Sequence, residues 1–377
     1  MRRLVLALMA VMLASDALAQ FPDGQTWQQT WQQTWQQTWQ QTWEETLAAA
    51  RTEGKVVVAG PPDTQVRLSL PAAFKARYGI AMEYVSARST DAAARLRAER
   101  AAGIYAVDAA LAGIQTMATV LHREKMLDPL RPLLIRPEVV DGSHWKRGEL
   151  WFSDPEQQYV LRIFNTVNRA FTINTNEVKP QELRLARNLL DPKWKGRIAF
   201  MDPTVSGTGS NQAAQLYAQF GEDFIRRLFL DQKPMISRDR RQLTDALARG
   251  THPIAFGAED GELQRLRREG LPVTAMFALE DMRGSLSSGD EVGIFNRAPH
   301  PNAARIFVNW IASREGNQTF GQALGMVPAR NDTDESGFVP QVIPRPDVDY
   351  FDPSSWEFTV TTKEQVRLHM KDLLRGR

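Results

Sequence analysis

The sequence predicts an α/β protein made of two successive α/β units. Short runs of β-branched and small apolar residues alternate with longer helical patterns up to residue 125, and the same alternation begins again near residue 197. Between them, residues 150–174 are rich in strand-forming residues. Alternating strands and helices favour mostly parallel sheets covered by helices on both faces.

The first unit has clear start and stop signals. Thr42 with Glu45 three residues later forms a capping box, which predicts a helix from Thr42 to Glu53 that ends at Gly54. The run at 55–59 predicts a buried strand. The next predicted elements are a helix at 65–77, a strand at 81–85, a helix from Ser89 or Thr90 to Ala101, a strand at 107–111 and a helix at 115–125.

The second half repeats the pattern and ends in helices. Residues 150–174 predict crossing strands. The elements predicted after them are strands at 197–201 and 253–257, a loop and helix at 206–220, helices at 260–269, 301–313, 314–324 and 362–374, and a connector at 328–353. The connector is rich in Pro and Asp, which indicates a surface segment that wraps around the protein.

Residues 1–19 have the features of a secretory signal peptide. Arg2 and Arg3 precede an apolar run at 4–13, and residues 17–19 give the small-x-small pattern that signal peptidase requires. That run is too short for an anchor, and no later stretch approaches the roughly 20 apolar residues of a transmembrane helix. We expect cleavage after Ala19 and export of a soluble protein to the periplasm.

Composition and motifs exclude several classes of function. There is no cysteine, and 46 basic residues nearly balance 44 acidic ones, so neither a disulfide framework nor a nucleic-acid partner is expected. The five histidines form no HExxH pair, and the chain lacks GxSxG and GxxxxGK[ST] motifs. We therefore predict no catalytic residues, no metal and no cofactor, with an exported hydrolase as the alternative from a different class.

A repeat of Thr-Trp-Gln-Gln precedes the first unit and places five tryptophans four residues apart between Trp27 and Trp43. In a continuous helix these side chains would drift about 40° per copy, which makes a poor single contact face. We expect residues 20–41 to form a frayed or loosely helical tail, in which only Trp43 need pack on the domain. The alternative is an aromatic arm for a partner or a carbohydrate.

From Thr42 onward the chain resembles a known family. The resemblance rests on WEETLAAARTEGKVVVAG, AAFKARYGIAMEYVSA, NLLDPKWKGRIAFMDPTVSGTGS and HPNAARIFVNWIASREGNQTFGQALGMVPAR. These segments are similar to periplasmic substrate-binding proteins of ABC importers, in the two-lobed type II group that includes iron(III), polyamine, thiamine and phosphorylated-ligand binders. The resemblance implies a monomer that closes on a small-molecule solute and presents it to an inner-membrane permease with a cytoplasmic ATPase. A sensory receptor as partner stays open.

The same resemblance implies how the chain divides between the lobes. Lobe 1 would hold residues 42–158 and 285–325, and lobe 2 would hold 159–284 and 326–377. Two hinge strands would cross near 155–165 and 284–293, where the small residues at 284–289 can absorb rotation.

Ligands of open α/β sheets bind beyond the carboxyl ends of the strands, which points to specific loops. Ser206-Gly207-Thr208-Gly209-Ser210 opens a helix where relatives of the iron type hold an anion, and helix amides and hydroxyls suit a carboxylate, phosphate or phosphonate. An ordinary capped helix start is the alternative. The candidate ligand-binding residues are Asp63, Thr64, Ser86, Ser89, Thr90, Ser206, Gly207, Thr208, Arg240 and Glu259.

Some of these candidates have a structural explanation as well. Thr64 is expected to cap the helix after the first strand, and Arg238 or Arg240 can bind an anion or simply pair with Asp239. Glu259 followed by an aspartate favours an amine, a metal or a zwitterion if it faces the cleft, whereas at a helix start it merely complements the helix dipole.

Iron binders in this family use a tyrosine pair, a histidine and often a glutamate. The matching positions here hold Ala258 and Glu259, Asp63, and about Gly113. None of the six tyrosines falls in a loop predicted to line the cleft, so a phenolate iron site is not expected. We predict a small anionic or zwitterionic solute, with iron(III) bound without the tyrosine pair as the alternative.

Overall fold

The structure is a computed structural model that describes residues 27–86, 89–205, 207–258, 260–277 and 279–375. The predicted signal peptide lies outside the described residues. The strands are β1 Lys55–Gly60, β2 Ala81–Ser86, β3 Ala109–Gly113, β4 Leu127–Asp128, β5 Thr166–Asn168, β6 Phe171–Asn174, β7 Ile198–Met201, β8 Met235–Ser237, β9 Ile254–Phe256, β10 Val273–Met276, β11 Ser285–Ser287 and β12 Asp290–Phe295.

The α-helices lie on both sides of these strands. They are α1 Trp27–Glu53, α2 Thr64–Tyr78, α3 Ser89–Ala101, α4 Ile114–Thr116, α5 Pro137–Val140, α6 Thr208–Arg226, α7 Arg240–Ala248, α8 Asp260–Arg268, α9 Pro301–Ile311, α10 Arg314–Leu324 and α11 Lys363–Leu373. A π-helical turn, Met117–His122, continues α4. No helix among the described residues is long and apolar enough to cross a membrane.

Each lobe is organised around a five-stranded sheet. The first has the order β2-β1-β3-β12-β4, in which β1 is parallel to β2 and β3 and β12 is antiparallel to its neighbours. The second has the order β10-β6-β9-β7-β8, with β7 parallel to β8 and β9 and β6 antiparallel to β9. The two-lobed α/β class predicted for the chain is therefore confirmed.

Apolar side chains fill both faces of each sheet, as expected for buried parallel strands. In the first lobe Val56 and Val58 face α2 and α9, while Val57 and Ala59 face the opposite layer. In the second lobe Phe200 packs on one face and Ala199 on the other. Adjacent residues thus belong to different cores, which follows from the two-residue period of a strand.

Strands β5 and β11 form a separate antiparallel pair between the lobes, with Thr166 opposite Ser287. This pair is the hinge, and its first strand begins just after the range expected for the crossing. The reason is that Leu161 bridges to Val292 and Phe164 packs in the core of the first lobe. Residues 160–164, which we assigned to lobe 2, therefore pack with lobe 1.

The C-terminal region makes a third connection between the lobes. Ala329 and Arg330 pack in the first lobe, although we assigned residues after 325 to lobe 2. The chain then passes the hinge, where Phe351 forms a bridge with Ser285. Finally α11 packs on α6 through Val366 in the core of the second lobe. The connector is thus a strap across the hinge.

The N-terminal helix corrects one prediction. Helix α1 already includes Trp27, the first described residue, so Thr42 lies inside a helix and does not form a capping box. The Thr42 carbonyl accepts a hydrogen bond from Thr46 Oγ1 at 2.7 Å, as in the interior of a helix. The glutamines before it are good helix formers and no Gly or Pro interrupts them, so the helix extends backward through the repeat.

Candidate functional site

The hinge strands leave each sheet at the carboxyl ends of its parallel strands. Strand β11 leads into β12, whose first residue Asp290 pairs with Gly113, the last residue of β3. Strand β5 leads into β6, where Thr172 pairs with Ala255 of β9. Both carboxyl edges therefore border the same hinge, and the loops at these edges line the cleft between the lobes.

On the second lobe, the amino end of α6 lies against the end of β7. Gly207 has φ 140°, a conformation that favours glycine, and it precedes the first helical residue, Thr208. A Cβ on Gly209 would lie 2.2 Å from the Met201 carbonyl oxygen, so only glycine lets the helix approach so closely. The glycines of this motif thus allow α6 to begin directly against the end of β7, with its first-turn amides at that edge of the sheet.

Arg240 contributes a positive charge to this end of α6. Its Nη2 donates a hydrogen bond to Thr208 Oγ1. The pairing we considered with Asp239 is not what the structure shows, because the Asp239 carboxylate accepts from the Arg241 amide as the N-cap of α7. Arg238 instead donates to Asp202 Oδ2 at 2.7 Å.

Arg169 is a second cation at this edge, and our sequence reasoning missed it. It follows β5 directly and donates from Nη2 to the Ala258 carbonyl at 2.7 Å. Burial, and then repulsion from Arg267 and Arg240, lower the pKa of Arg169 to about 10. The guanidinium groups of Arg169, Arg240 and Arg267 therefore make this part of the second lobe electropositive. A single arginine between a hinge strand and the next strand gives little signal in sequence.

On the first lobe, Asp63 and not Thr64 caps α2. The Asp63 carboxylate accepts from the Val66 amide at 2.9 Å, while Thr64 is the first helical residue and is exposed. Ser86 ends β2 and is also exposed. Asp63, Thr64 and Ser86 thus lie at the cleft edge of the first sheet, and Asp63 has a structural partner already.

The remaining candidates are only partly described. Ser89 begins α3, so it is inside the helix with Thr90, and the side chains of both lie outside the description. Ser206 and Glu259 lie outside the described residues. Gly207, Thr208 and Arg240 are the sequence candidates that the structure brings together.

Asp290 is a further carboxylate at the cleft, and it too was missed. It lies on the same face of the first sheet as Tyr84, whose hydroxyl donates to the Pro61 carbonyl at 2.9 Å. Burial raises the pKa of Asp290 to about 7. Burial, and then the charges of Asp290 and Asp63, also raise the pKa of Tyr84, so this cleft-edge phenol stays protonated. The signal available in sequence was an aspartate opening an apolar strand.

One group of side chains has spacing suited to a metal. Ligand atoms of His122, Asp154 and Glu156 lie within 4.8 Å of one another. However, the Asp154 carboxylate already accepts three backbone N–H bonds from residues 158–160, and the His122 ring packs edge-on against Trp356 with centroids 4.8 Å apart. These contacts give the side chains a structural role. Asp154 holds the loop at residues 158–160, and His122 packs against the C-terminal strap.

Two lobes joined by crossing strands, with polar loops facing one cleft, define a two-lobed solute-binding protein. The chain belongs to the family of bacterial extracellular solute-binding proteins, whose model matches residues 69–342. Members of this family are transport proteins that deliver small-molecule solutes to ABC permeases, and they are not enzymes. Nothing in these comparisons supports an exported hydrolase. No curated protein matches this chain significantly.

Several solved structures share the fold. IdiA (FutA) of Trichodesmium with iron and citrate is 17% identical, with TM-score 0.64, and the match covers 85% of this chain and 98% of that one. AfuA of Actinobacillus pleuropneumoniae with fructose-6-phosphate is 17% identical, with TM-score 0.62 and coverage of 86% and 99%. Iron-bound HitA of Pseudomonas aeruginosa is 15% identical, with TM-score 0.59 and coverage of 85% and 99%. Similarity at this level of identity shows the fold only, so the ligand has to be inferred from the residues of the site.

Proposed function

We propose that this protein captures a small anionic or zwitterionic solute in the cleft between its lobes, in the periplasm, and delivers it to an ABC permease. The observation that carries the proposal is the placement of Arg240 beside the amino end of α6, at the carboxyl edge of the second sheet. Arg169 adds positive charge at the same edge.

The chemistry of this edge suits an oxyanion. First-turn amides of α6 have no acceptor within the helix and carry partial positive charge. The Thr208 hydroxyl accepts from Arg240, which leaves its own proton available to donate. Donors of both kinds match a carboxylate, phosphate or phosphonate, and a charge-assisted bond to an arginine strengthens the contact.

The cleft gives less support to a ferric ion bound by protein oxygens alone. Ala258 and Gly113 offer no side-chain ligand at two of the positions where relatives of the iron type place one. The Tyr84 phenol is held in its protonated form by burial, whereas a ferric ion prefers anionic oxygen. We therefore expect iron(III) to bind in this cleft only when an anion accompanies it.

The first test identifies the solute. Protein purified without refolding is analysed by native mass spectrometry, and we expect a copurified compound that carries a carboxylate, phosphate or phosphonate group. A ferric ion found without an anion would contradict the proposal. Scattering curves with and without that compound test closure, because a solute that contacts both lobes favours the closed form.

The second test uses the end of α6. Ser206→Ala combined with Thr208→Ala should weaken binding of the copurified compound at least tenfold, which is about 1.4 kcal/mol. Thr52→Ala is the matched control, because Thr52 is an exposed residue of α1 whose hydroxyl bonds only locally, to the Ala48 carbonyl. An unchanged dissociation constant in the double variant would remove α6 from the site.

A further inference from the structure

Asp290 occupies a special position in the cleft. It is the first residue of β12, it pairs with the last residue of β3, and the hinge strand β11 ends only three residues before it. Its side chain lies on the sheet face that also carries Tyr84, next to the turn that holds Asp63. The carboxylate is therefore at the floor of the first lobe, beside the hinge.

No hydrogen bond or ion pair reaches the Asp290 carboxylate from any described residue. The nearby Tyr84 hydroxyl is committed to the Pro61 carbonyl, and the Asp63 carboxylate carries the same sign of charge. Glu291, the next residue, points to the opposite face of the sheet and bonds to Ser153. Among the described residues, the Asp290 carboxylate thus has no hydrogen-bond donor and no cation as a partner.

This arrangement is unfavourable for the isolated protein. Removing a carboxylate from water without a partner costs free energy, and burial raises the pKa of Asp290 for this reason. An asparagine at the same place would pack equally well without that cost. A residue that opposes folding in this way is typical of a binding site that waits for a ligand of opposite charge.

We infer that the first lobe carries a cation-binding position centred on Asp290, and that the solute is a zwitterion with its amine at Asp290 and its anionic group at α6. The inference rests on the proposed function. It deepens that function, because two opposite charges on one small solute would bring the two lobes together, whereas an anion alone would find a group of opposite charge only on the second lobe. The ligand chemistry is a primary ammonium group joined to an oxyanion.

The test uses matched probes that differ only in the amine. Ethylphosphonate is compared with 2-aminoethylphosphonate, and propionate with β-alanine, by calorimetric titration of the full chain. We expect each amine-bearing probe to bind at least about tenfold more tightly than its partner, since a charge-assisted bond is gained. Calcium and magnesium ions are titrated alone as a separate arm.

Asp290→Asn then decides whether this residue is responsible. The variant should remove most of the preference for the amine while leaving the affinity for ethylphosphonate unchanged, and Asp290→Glu should restore part of the preference. Asp347→Asn is the matched control, because Asp347 is exposed and pairs only with Arg345. A preference for the amine that survives in Asp290→Asn would overturn the inference.

The other outcomes separate this inference from the proposed function. Equal affinity for both members of each pair overturns the cation position and leaves the anion site intact. Tight binding of calcium or magnesium alone that Asp290→Asn abolishes makes the position a metal site and overturns the amine. If no probe of either kind binds, the anion site itself fails, and the zwitterion fails with it.

Discussion

Arg162 Nη1 lies 2.8 Å from Oδ2 of Asp352, and this ion pair ties the segment that enters the hinge to the C-terminal strap. The Arg162 side chain is completely buried, its guanidinium lies 3.7 Å from the centroid of the Trp151 ring, and its Nε donates to the Phe164 carbonyl at 3.0 Å. A charge at such a depth depends on its partner.

We predict that Asp352→Asn destabilises the protein by about 3 kcal/mol, because it leaves the Arg162 charge buried without its ion pair. Asparagine keeps the oxygen that accepts from the Ser354 amide, so the turn itself is preserved. Urea unfolding measures the change, with Asp347→Asn as the exposed control. Equal stability of the two variants would show that the strap does not depend on this pair.

Asp290→Asn should stabilise the ligand-free protein at high pH. Burial raises the pKa of Asp290 to about 7 in the folded state, well above its ordinary value in the unfolded chain, so the folded form holds the proton more tightly. Stability from this group is present below the unfolded pKa and is lost as the pH rises through 7. Tyr84 and Asp63 are the titratable groups on this side of the sheet, and the raised pKa of Tyr84 keeps its phenol neutral at these pH values.

Thermal unfolding of wild type and Asp290→Asn should therefore coincide near pH 4, diverge as the pH rises toward 7 and stay apart above it, with the variant more stable by roughly 1 kcal/mol because the cleft-edge carboxylate keeps some contact with solvent. A variant that is less stable at pH 8 would mean that Asp290 has a partner that stabilises its charge. Asp290→Asn would then lower both the stability of the protein and its affinity for the amine-bearing ligand, whereas we expect it to raise the stability and lower the affinity.

Gly209→Ala should disturb both folding and binding. The new Cβ would meet the Met201 and Asp202 carbonyl oxygens at 2.2 and 2.5 Å, so α6 must move away from β7. We expect a loss of about 2 kcal/mol in stability and weaker binding of the copurified solute, since the first-turn amides shift. Gly337→Ala is the control, with no atom within 4 Å of its Cβ. Unchanged affinity in Gly209→Ala would separate α6 from the ligand.

Deleting residues 25–40 should leave ligand affinity unchanged. Trp43, beyond the deletion, packs on the first lobe, with its ring centroid 6.0 Å from that of Tyr78 and the Arg136 guanidinium 5.1 Å away. Trp43→Ala should cost about 3 kcal/mol by removing these contacts. Calorimetric titration and urea unfolding check the two effects. A large loss of affinity on deletion would favour the alternative of an aromatic arm.

The sequence predicted local elements well where one signal dominated. Gly79 ends α2 with φ 74°, as its position after a helical pattern indicated, and α10 has the predicted bounds of Arg314 and Leu324. The short strands β8 and β10 were missed, because three or four residues are too few to show a period. The capping box at Thr42 failed because the preceding repeat is itself a good helix former.

Part of the candidate site could also be found from sequence. Gly207, Thr208 and Arg240 lie in loops or helix starts at one edge of the second sheet. Because ligands bind beyond the carboxyl ends of strands in this class of fold, the sequence pointed to these residues as ligand candidates. Arg169 and Asp290 could not be found in the same way. They adjoin hinge strands, and which loop a hinge residue faces depends on the register of strands far away in the chain.

The amino-acid sequence by itself determined the alternation of strands and helices, the ends of most helices and the glycines that start α6, because each depends on the conformational preferences of neighbouring residues. Only the tertiary structure decided that Asp290 pairs with Gly113 and meets no ion-pair partner among the described residues, and that Arg162 meets Asp352, 190 positions along the chain. Such contacts require strand pairing and chain closure over long distances, and local periodicity carries no record of either.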